Sequence, residues 1–515
     1  MTRTLKSVTS RCWALINRHY QSTSVNKDFD IRGVRPFEEI PGPGGIYNTP
    51  IIGPAFHFKP FSRHTIERVH HLFNELIDRH GSLVRINLGK WCVLVEDAAD
   101  IETVMKNEGK CPRRDGHLIH ELYCEDSGLR KGLILLQGKE WHNFRSPVNA
   151  QMMRVRSAQH FLSVQNEVAD DLVTRMKQDQ FTPQGMSEMF FKYACESICV
   201  VAFNKRLGYL RRDVDMYPEK LQSLKDVRDM FRILNECLYI HPFVLRNFPL
   251  KVKDDYKAAV DRLVSQAHDL YRGMLEDFRQ SQSAGTVDSQ EKNLMLSLLM
   301  SNKLTLDDIG AIALDLFSGG TDSTARMIQM LLYVLARNPD KQEKLFQEVF
   351  GELGPCGTIT AAALDNMKYL PACLKETFRL YHPVLTGTQR YLPTDITLQG
   401  YSIPAGTSLI MMNQKTAKNR MYFPEPEAYL PERWLRDTSG QRMAPIPPSA
   451  LLPFGFGPRQ CVGKRFAEQE IYLAVAKIIQ NFEVLLEPGH EEIDVLYEIF
   501  IGTKEPIRFV FKERN

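Results

Sequence analysis

Hydrophobic positions along the chain recur mostly at three- and four-residue spacing, so the pattern is helical for most of its length. The most legible helix starts at Thr305. Thr305 and Asp308 form a T-x-x-D capping box, Leu304 and Ile309 stand as a hydrophobic staple, and Ile312, Ala313, Leu316, Met327, Met330, Leu331 and Val334 continue the apolar stripe. Asn338-Pro339 ends it, which predicts a helix of about 50 Å at ~1.5 Å per residue. Ser318-Gly-Gly-Thr-Asp-Ser-Thr324 is predicted to interrupt its middle, because two adjacent glycines cost on the order of 2 kcal/mol relative to alanine. Strand-like runs are few: 82–89 and 91–95 predict a hairpin, and 395–404 and 408–411 predict further strands. Strands flanking a long helical block imply a mainly α fold, with a large helical domain and a smaller β-rich one.

The two ends of the chain differ in character. Residues 1–27 carry Arg3, Lys6, Arg11, Arg18 and Lys27 with no acid, are rich in Ser and Thr, and place Leu5, Val8, Cys12, Leu15 and Ile16 at helical spacing. That is the composition of a mitochondrial transit peptide, with cleavage expected after Tyr20. Pro36, Pro41 and Pro43 with Gly42, Gly44 and Gly45 then cannot sit in a helix interior, so residues 28–60 read as a stiff lead-in. No repeat or second linker follows, and residues 61–515 read as a single catalytic unit.

Composition narrows the function. The 515 residues are 43% hydrophobic and 25% charged, ordinary globular usage that excludes fibrous and disordered classes. Lys and Arg number 65 against 62 Asp and Glu, a net charge of +3, so no global field exists to hold a nucleic acid and any basic function is local. Ten scattered cysteines without a CxxC pair point to a reducing compartment and away from zinc. No run approaches the ~18 apolar residues that span a bilayer.

One cysteine stands apart. Cys461 lies in Pro453-Phe-Gly-Phe-Gly-Pro-Arg-Gln-Cys-Val-Gly-Lys-Arg465, where glycines allow a tight loop with amides aimed at the sulfur. Arg459 offers a cation that favours a thiolate and can pair with a ligand carboxylate, and a helix predicted just after the sulfur adds positive dipole potential. Phe454 to Gly463 resembles the haem-binding signature of the cytochrome P450 family, the haem-thiolate monooxygenases, and the likeness covers nearly all of the chain after residue 27. It implies the P450 fold and haem b (iron protoporphyrin IX), with Cys461 as the proximal iron ligand and Phe454 and Gly463 shaping its loop.

The resemblance then assigns other residues. Glu376 and Arg379 in KETFRL, with Arg433 of Pro431-Glu-Arg-Trp434, match a buried structural network behind the haem. Trp141-His-Asn-Phe-Arg145 is similar to the W-x-x-x-R that holds a haem propionate, and Arg390 and Arg459 match further propionate positions. Gly319 to Thr324 resembles the oxygen-activating (A/G)-G-x-(D/E)-T-T, which implies Asp322 as a proton relay, Ser323 as the hydroxyl that bonds the activated oxygen, and Thr324 in reserve. Most relatives carry threonine where Ser323 stands. Serine keeps the hydroxyl but loses the methyl that restricts χ1, which implies looser coupling.

Within the family the basic presequence, the PFEEIPGP entry motif and Lys464-Arg465 are similar to the mitochondrial branch. Lys375 matches one of two docking lysines; the other position, 371, is proline here. The likeness implies electrons from NADPH through a reductase and a ferredoxin of the adrenodoxin type, docking at Lys375, Lys464 and Arg465. It also implies a lipophilic substrate (sterol, steroid, related lipid or xenobiotic), no nucleic acid, and a place on the matrix side of the inner mitochondrial membrane. The apolar stretch 238–250 either meets that membrane or packs in the core, and 116–138 is expected above the substrate pocket. A donor-independent haem-thiolate isomerase or dehydratase, and a non-catalytic haem or lipid binder, are the alternatives.

Overall fold

The computed structural model describes residues 33–514 except 50–51, 115, 155, 214–220, 239, 284–293, 356, 386–387 and 437–444. The transit-peptide expectation over 1–27, with its processing point, lies outside the described residues. The helices that position the site are α1 (Val69–His80), α2 (Leu118–Ser127), α3 (Gly138–Met152), α4 (Pro183–Phe203), α5 (Pro242–Asn247), α6 (Lys251–Ser283), α7 (Leu306–Arg337), α8 (Tyr369–Leu380) and α9 (Lys464–Asn481). Among the described residues no helix is long and apolar enough to cross a membrane.

The long helix α7 is the axis of the helical domain. Its N-terminus is closed as the sequence predicts: Asp308 N–H donates to Thr305 Oγ1 at 3.1 Å, and Thr305 N–H donates to Asp308 Oδ2 at 2.9 Å. It ends at Asn338, ahead of Pro339. The predicted interruption does not occur; α7 is helical throughout 318–324. The hydroxyls of Ser318, Thr321 and Ser323 donate to the carbonyls of Leu314, Phe317 and Gly319 at 2.8, 2.7 and 2.7 Å, so they stay within the helix. The glycines serve packing instead: a Cβ on Gly320 would lie 2.7 Å from Ile198 of α4, whose residues from Met189 onward are all buried. Tertiary contact with that apolar helix outweighs the propensity cost.

The β-rich part is smaller. Strands β1 (Leu83–Asn87) and β2 (Trp91–Val95) form the predicted antiparallel hairpin; β3 (Arg390–Tyr391) and β6 (Ser408–Met411) complete a sheet of order β1-β2-β6-β3, with β6 parallel to β2. The 395–404 run doubles back at Gln399-Gly400 (φ 49° and 77°) into β4 (Ile396–Leu398) and β5 (Tyr401–Ile403). Val93, Val95, Leu409, Met411 and Ile403 give this region its own apolar core. Near the C-terminus β7 (Phe482–Leu486) pairs with β10 (Phe509–Glu513), and β8 (Val495–Glu498) with β9 (Phe500–Thr503). The mainly α architecture with a smaller β-rich part matches the sequence reading.

Candidate active site

Cys461 sits two residues before α9, whose N-cap is Gly463. Gly455 and Gly457 take φ of 71° and 65°, conformations that bulkier residues avoid, and Cys461 N–H donates to Phe454 O at 2.8 Å to close the loop. Phe454 packs edge-on against Phe378 of α8 at 5.3 Å. The thiol keeps accessible surface, yet burial is the dominant influence on it and pushes its pKa up. The Gly463 amide, Arg145 and Arg114 oppose that rise without reversing it. One expectation is corrected here. Arg459 is not the cation beside the sulfur: its guanidinium lies 3.9 Å over the Trp141 ring and donates to the carbonyls of Pro112, Leu133 and Leu136 and to the Gln137 side chain.

Around this loop the arginines are crowded. Arg145, one turn after the buried Trp141 on α3, donates to Asn149 Oδ1 and Gln460 O. Arg114 reaches the same interior, influenced by Arg390, Asp315 and Cys461. None of Arg114, Arg145 and Arg459 has a carboxylate within ion-pair distance among the described residues. Burial first, and repulsion from neighbouring arginines after it, lowers Arg114 and Arg145 to about 10 and Arg459 to about 8. Arg390 differs from the expectation that grouped it with them: Glu108 takes its Nε at 2.5 Å, and Gln389 O and Phe456 O take the remaining donors. On α7 a Cβ at Gly319 would meet no atom within 4 Å, so space is open beside the helix backbone there. An accessible sulfur, open helix backbone and three cations short of anions fit haem, whose propionates supply two carboxylates. Arg114 belongs to no motif in the sequence, which is why it went unassigned.

The α7 acid and hydroxyls are placed unequally. Asp322 is fully buried and held by Arg326, whose Nε lies 3.0 Å from both oxygens, while Arg326 also donates to Glu498 at 3.0 Å. Burial raises the Asp322 pKa and Arg326 opposes the rise. Thr324 Oγ1 is buried without a partner in hydrogen-bond geometry, facing Glu470 of α9. Gln165 donates to Glu470 Oε1 at 3.1 Å, and burial pushes this carboxyl up to about 8. One turn before Gly319, Asp315 accepts the Leu133 amide at 2.6 Å and is raised by burial to about 7. Leu133 lies in the 116–138 segment, which this contact joins to α7. Between α2 and α6, His120 Nδ1 and Tyr256 OH are buried without partners, their rings 6.0 Å apart. Asp315 and Glu470 could have been noticed as acids on otherwise apolar helix faces.

Behind the cysteine the expected network is complete. Glu376 accepts from Arg379 at 2.7 and 3.0 Å, from Arg433 at 3.0 Å, from Trp434 Nε1 at 2.9 Å and from the Leu430 amide at 3.0 Å. Lys375 of α8 and Lys464 and Arg465 of α9 converge on Glu468, and Lys375 and Arg465 are exposed.

Comparison with known proteins agrees with this geometry. Residues 43–511 match the family described as Cytochrome P450. Cytochrome P450 10 of Lymnaea stagnalis is 28% identical over 97% of this chain and 90% of its own. The mitochondrial cholesterol side-chain cleavage enzyme of Oncorhynchus mykiss is 30% identical over 93% and 91%, and the probable mitochondrial cytochrome P450 12d1 proximal of Drosophila melanogaster is 31% identical over 75% of each chain. The crystal structure of the cytochrome P450DA haem domain superposes with a TM-score of 0.73 at 18% identity, over 94% of this chain and 99% of that one. With mitochondrial members among these relatives and the signature loop in place, the chain belongs to the cytochrome P450 family and is a haem-dependent monooxygenase.

Proposed function

We propose that the protein inserts one oxygen atom from O₂ into a lipophilic substrate, a sterol, steroid or related lipid or a lipophilic xenobiotic, with electrons from NADPH through a ferredoxin reductase and a ferredoxin of the adrenodoxin type. The observation that carries the donor assignment is the convergence of Lys375, Lys464 and Arg465 beside the Cys461 loop, a cationic patch suited to an acidic ferredoxin. Relatives named as mitochondrial support a mitochondrial setting, within which the proposed place is the matrix side of the inner membrane. In 238–250, Leu238, Phe243, Val244 and Phe248 are exposed while Leu245 is buried, which favours a peripheral membrane contact over core packing.

Haem, when bound, supplies the redox-active iron at which O₂ is reduced and split. Cys461 would ligate the iron. Arg114, Arg145 and Arg459 would hold the propionates, with Trp141 supporting Arg459 from below. Arg390 acts one step back, fixing Glu108 and the Phe456 carbonyl of the loop. Ser323 presents its hydroxyl on the inward face of α7, its proton engaged by Gly319 O until a stronger acceptor competes. Asp322, ion-paired with Arg326, is the acid that would relay protons to the site, and Glu498, partly exposed and sharing Arg326, connects that buried pair toward solvent. Thr324 and Glu470 form a second hydroxyl–carboxyl pair on the far side of α7.

Reconstitution separates the readings. O₂ consumption and substrate oxygenation that require both ferredoxin and reductase are the expected result. Conversion of organic peroxides without a donor would instead establish an isomerase or dehydratase, and neither activity would leave a binding protein.

A further inference from the structure

The segment before α1 and the start of that helix build a surface feature that the oxygenation chemistry does not use. Two short helical turns, Gly45–Asn48 and Gly53–His57, lie together, with Tyr47 stacked on His57 at 4.7 Å. A fixed loop follows: Lys59 N–H donates to His64 O at 2.9 Å, Ser62 N–H to Phe58 O at 3.1 Å and Ser62 Oγ to His57 O at 2.5 Å. At its tip Phe61 is 63% exposed although it packs on Phe56 at 4.9 Å; Ile46 and Ile52 on the preceding turns are 50% and 57% exposed. Beside this apolar tip lies a hollow of about 490 Å³ whose rim includes Lys59, Arg63, His64, Arg68 and His71.

The hollow contains Glu75 and Asp78 as well, but both are already engaged. Glu75 accepts from Arg63 at 2.7 Å and Arg79 at 2.9 Å and faces His64 at 3.2 Å; Asp78 accepts from Lys415 at 2.6 Å. Arg68 pairs with Asp494. Five Lys and Arg side chains, Lys59, Arg63, Arg68, Arg79 and Lys415, thus stand against the three carboxylates Glu75, Asp78 and Asp494, and Lys59 makes no ion pair among the described residues. His71 senses the surplus: burial lowers its pKa first, and Arg68, His64 and Arg63 lower it further. A rigid loop that exposes a phenyl ring between two cations, over a hollow with surplus positive charge, suits an amphipathic surface bearing phosphate.

We propose that this hollow binds the phosphate of an anionic phospholipid headgroup, with Phe61, Ile46 and Ile52 entering the interfacial layer beside it. The proposal rests on the peripheral membrane contact read from 238–250 and adds a headgroup site on a different segment. Haem-loaded protein floated with phosphatidylcholine vesicles, and with vesicles in which part of that lipid is replaced by phosphatidylglycerol, should prefer the second. Lys59→Glu should bind the anionic vesicles at least about fivefold more weakly and the zwitterionic ones as before. Phe61→Ser should weaken both. Because these side chains are exposed, the reduced carbon-monoxide spectrum should stay unchanged. Equal flotation with both vesicles, unaffected by Lys59→Glu, overturns the headgroup site and leaves the membrane contact standing; flotation with neither overturns both. Saturable binding of glycerol phosphate in wild type but not in Lys59→Glu, without vesicle preference, assigns the hollow to soluble phosphoesters and overturns the lipid.

Discussion

Two buried arginine clusters flank the cysteine loop, and they are wired in opposite ways. In one, Glu376 sits between Arg379 and Arg433, and the remaining guanidinium donors go to the carbonyls of Ala417, Pro426, Ala428, Pro424 and Glu425. That cluster is closed. In the other, Arg114, Arg145 and Arg459 repel one another with no carboxylate in ion-pair contact, and Arg114 Nε has no hydrogen-bond partner, among the described residues. Arg145 and Arg459 are buried much as Arg379 and Arg433 are, so the difference lies in what completes each set. A closed network holds the fold; an open one is completed by a ligand that brings its own anions.

The strongest way to break this contrast is Glu376→Ala. It strands two buried arginines at a cost of about 3–5 kcal/mol, and the expected outcome is no haem-loaded protein, read as loss of the reduced carbon-monoxide band; a normal band would put Glu376 outside the structural frame. Arg459→Met should act in the reverse sense. The variant should release haem to a scavenging globin roughly 10–100-fold faster, in line with ~1.5–3 kcal/mol for a charge-assisted bond, while its haem-free form melts higher because a repelled buried cation is gone. A lower melting point for that haem-free form would mean that the open cluster is structural too.

Smaller effects sharpen the picture on α7. Ser323→Ala should divert several-fold more reducing equivalents to hydrogen peroxide, measured as peroxide formed per NADPH oxidised, whereas Thr324→Ala should divert fewer. Equal leakage in wild type and Ser323→Ala would move the oxygen-side role elsewhere. Glu470 gives a pH signature. Its folded pKa of about 8 exceeds the ordinary 4.5, so the folded state keeps a proton that the unfolded chain releases. Stability from this group is full below about pH 4.5 and is lost as pH rises through about 8, by at most on the order of 5 kcal/mol. Glu470→Gln should flatten the fall in melting temperature across that window. Least in size, Lys375→Glu with Arg465→Glu should raise the apparent KM for ferredoxin several-fold at low ionic strength and little at high salt.

Features set by neighbours in the chain were legible from the sequence. The Thr305–Asp308 box, the β1–β2 hairpin and the backbone turn of the Cys461 loop depend on residues a few positions apart and formed as read, whereas the side-chain partners of Arg459 did not. The helix through Gly319-Gly320 was misread because its continuity depends on Ile198, more than a hundred positions away. The same holds for Arg390, whose partner Glu108 is 282 residues distant, and for Arg114, whose significance comes only from the cysteine and arginines that folding gathers round it. Spacing reveals a helix face or a turn. It does not reveal which distant charge will be waiting.

The contact between Glu108 and the cysteine loop limits how the sequence can change. Glu108 is clasped by Arg390, and a Cβ at Gly457 would collide with its other oxygen. Replacing Gly457 demands that Glu108 withdraw, which would strand Arg390; shortening Glu108 strands the same arginine while making room that glycine does not need. The three positions therefore form a mutational lock in which no member can be exchanged first without passing through a damaged intermediate.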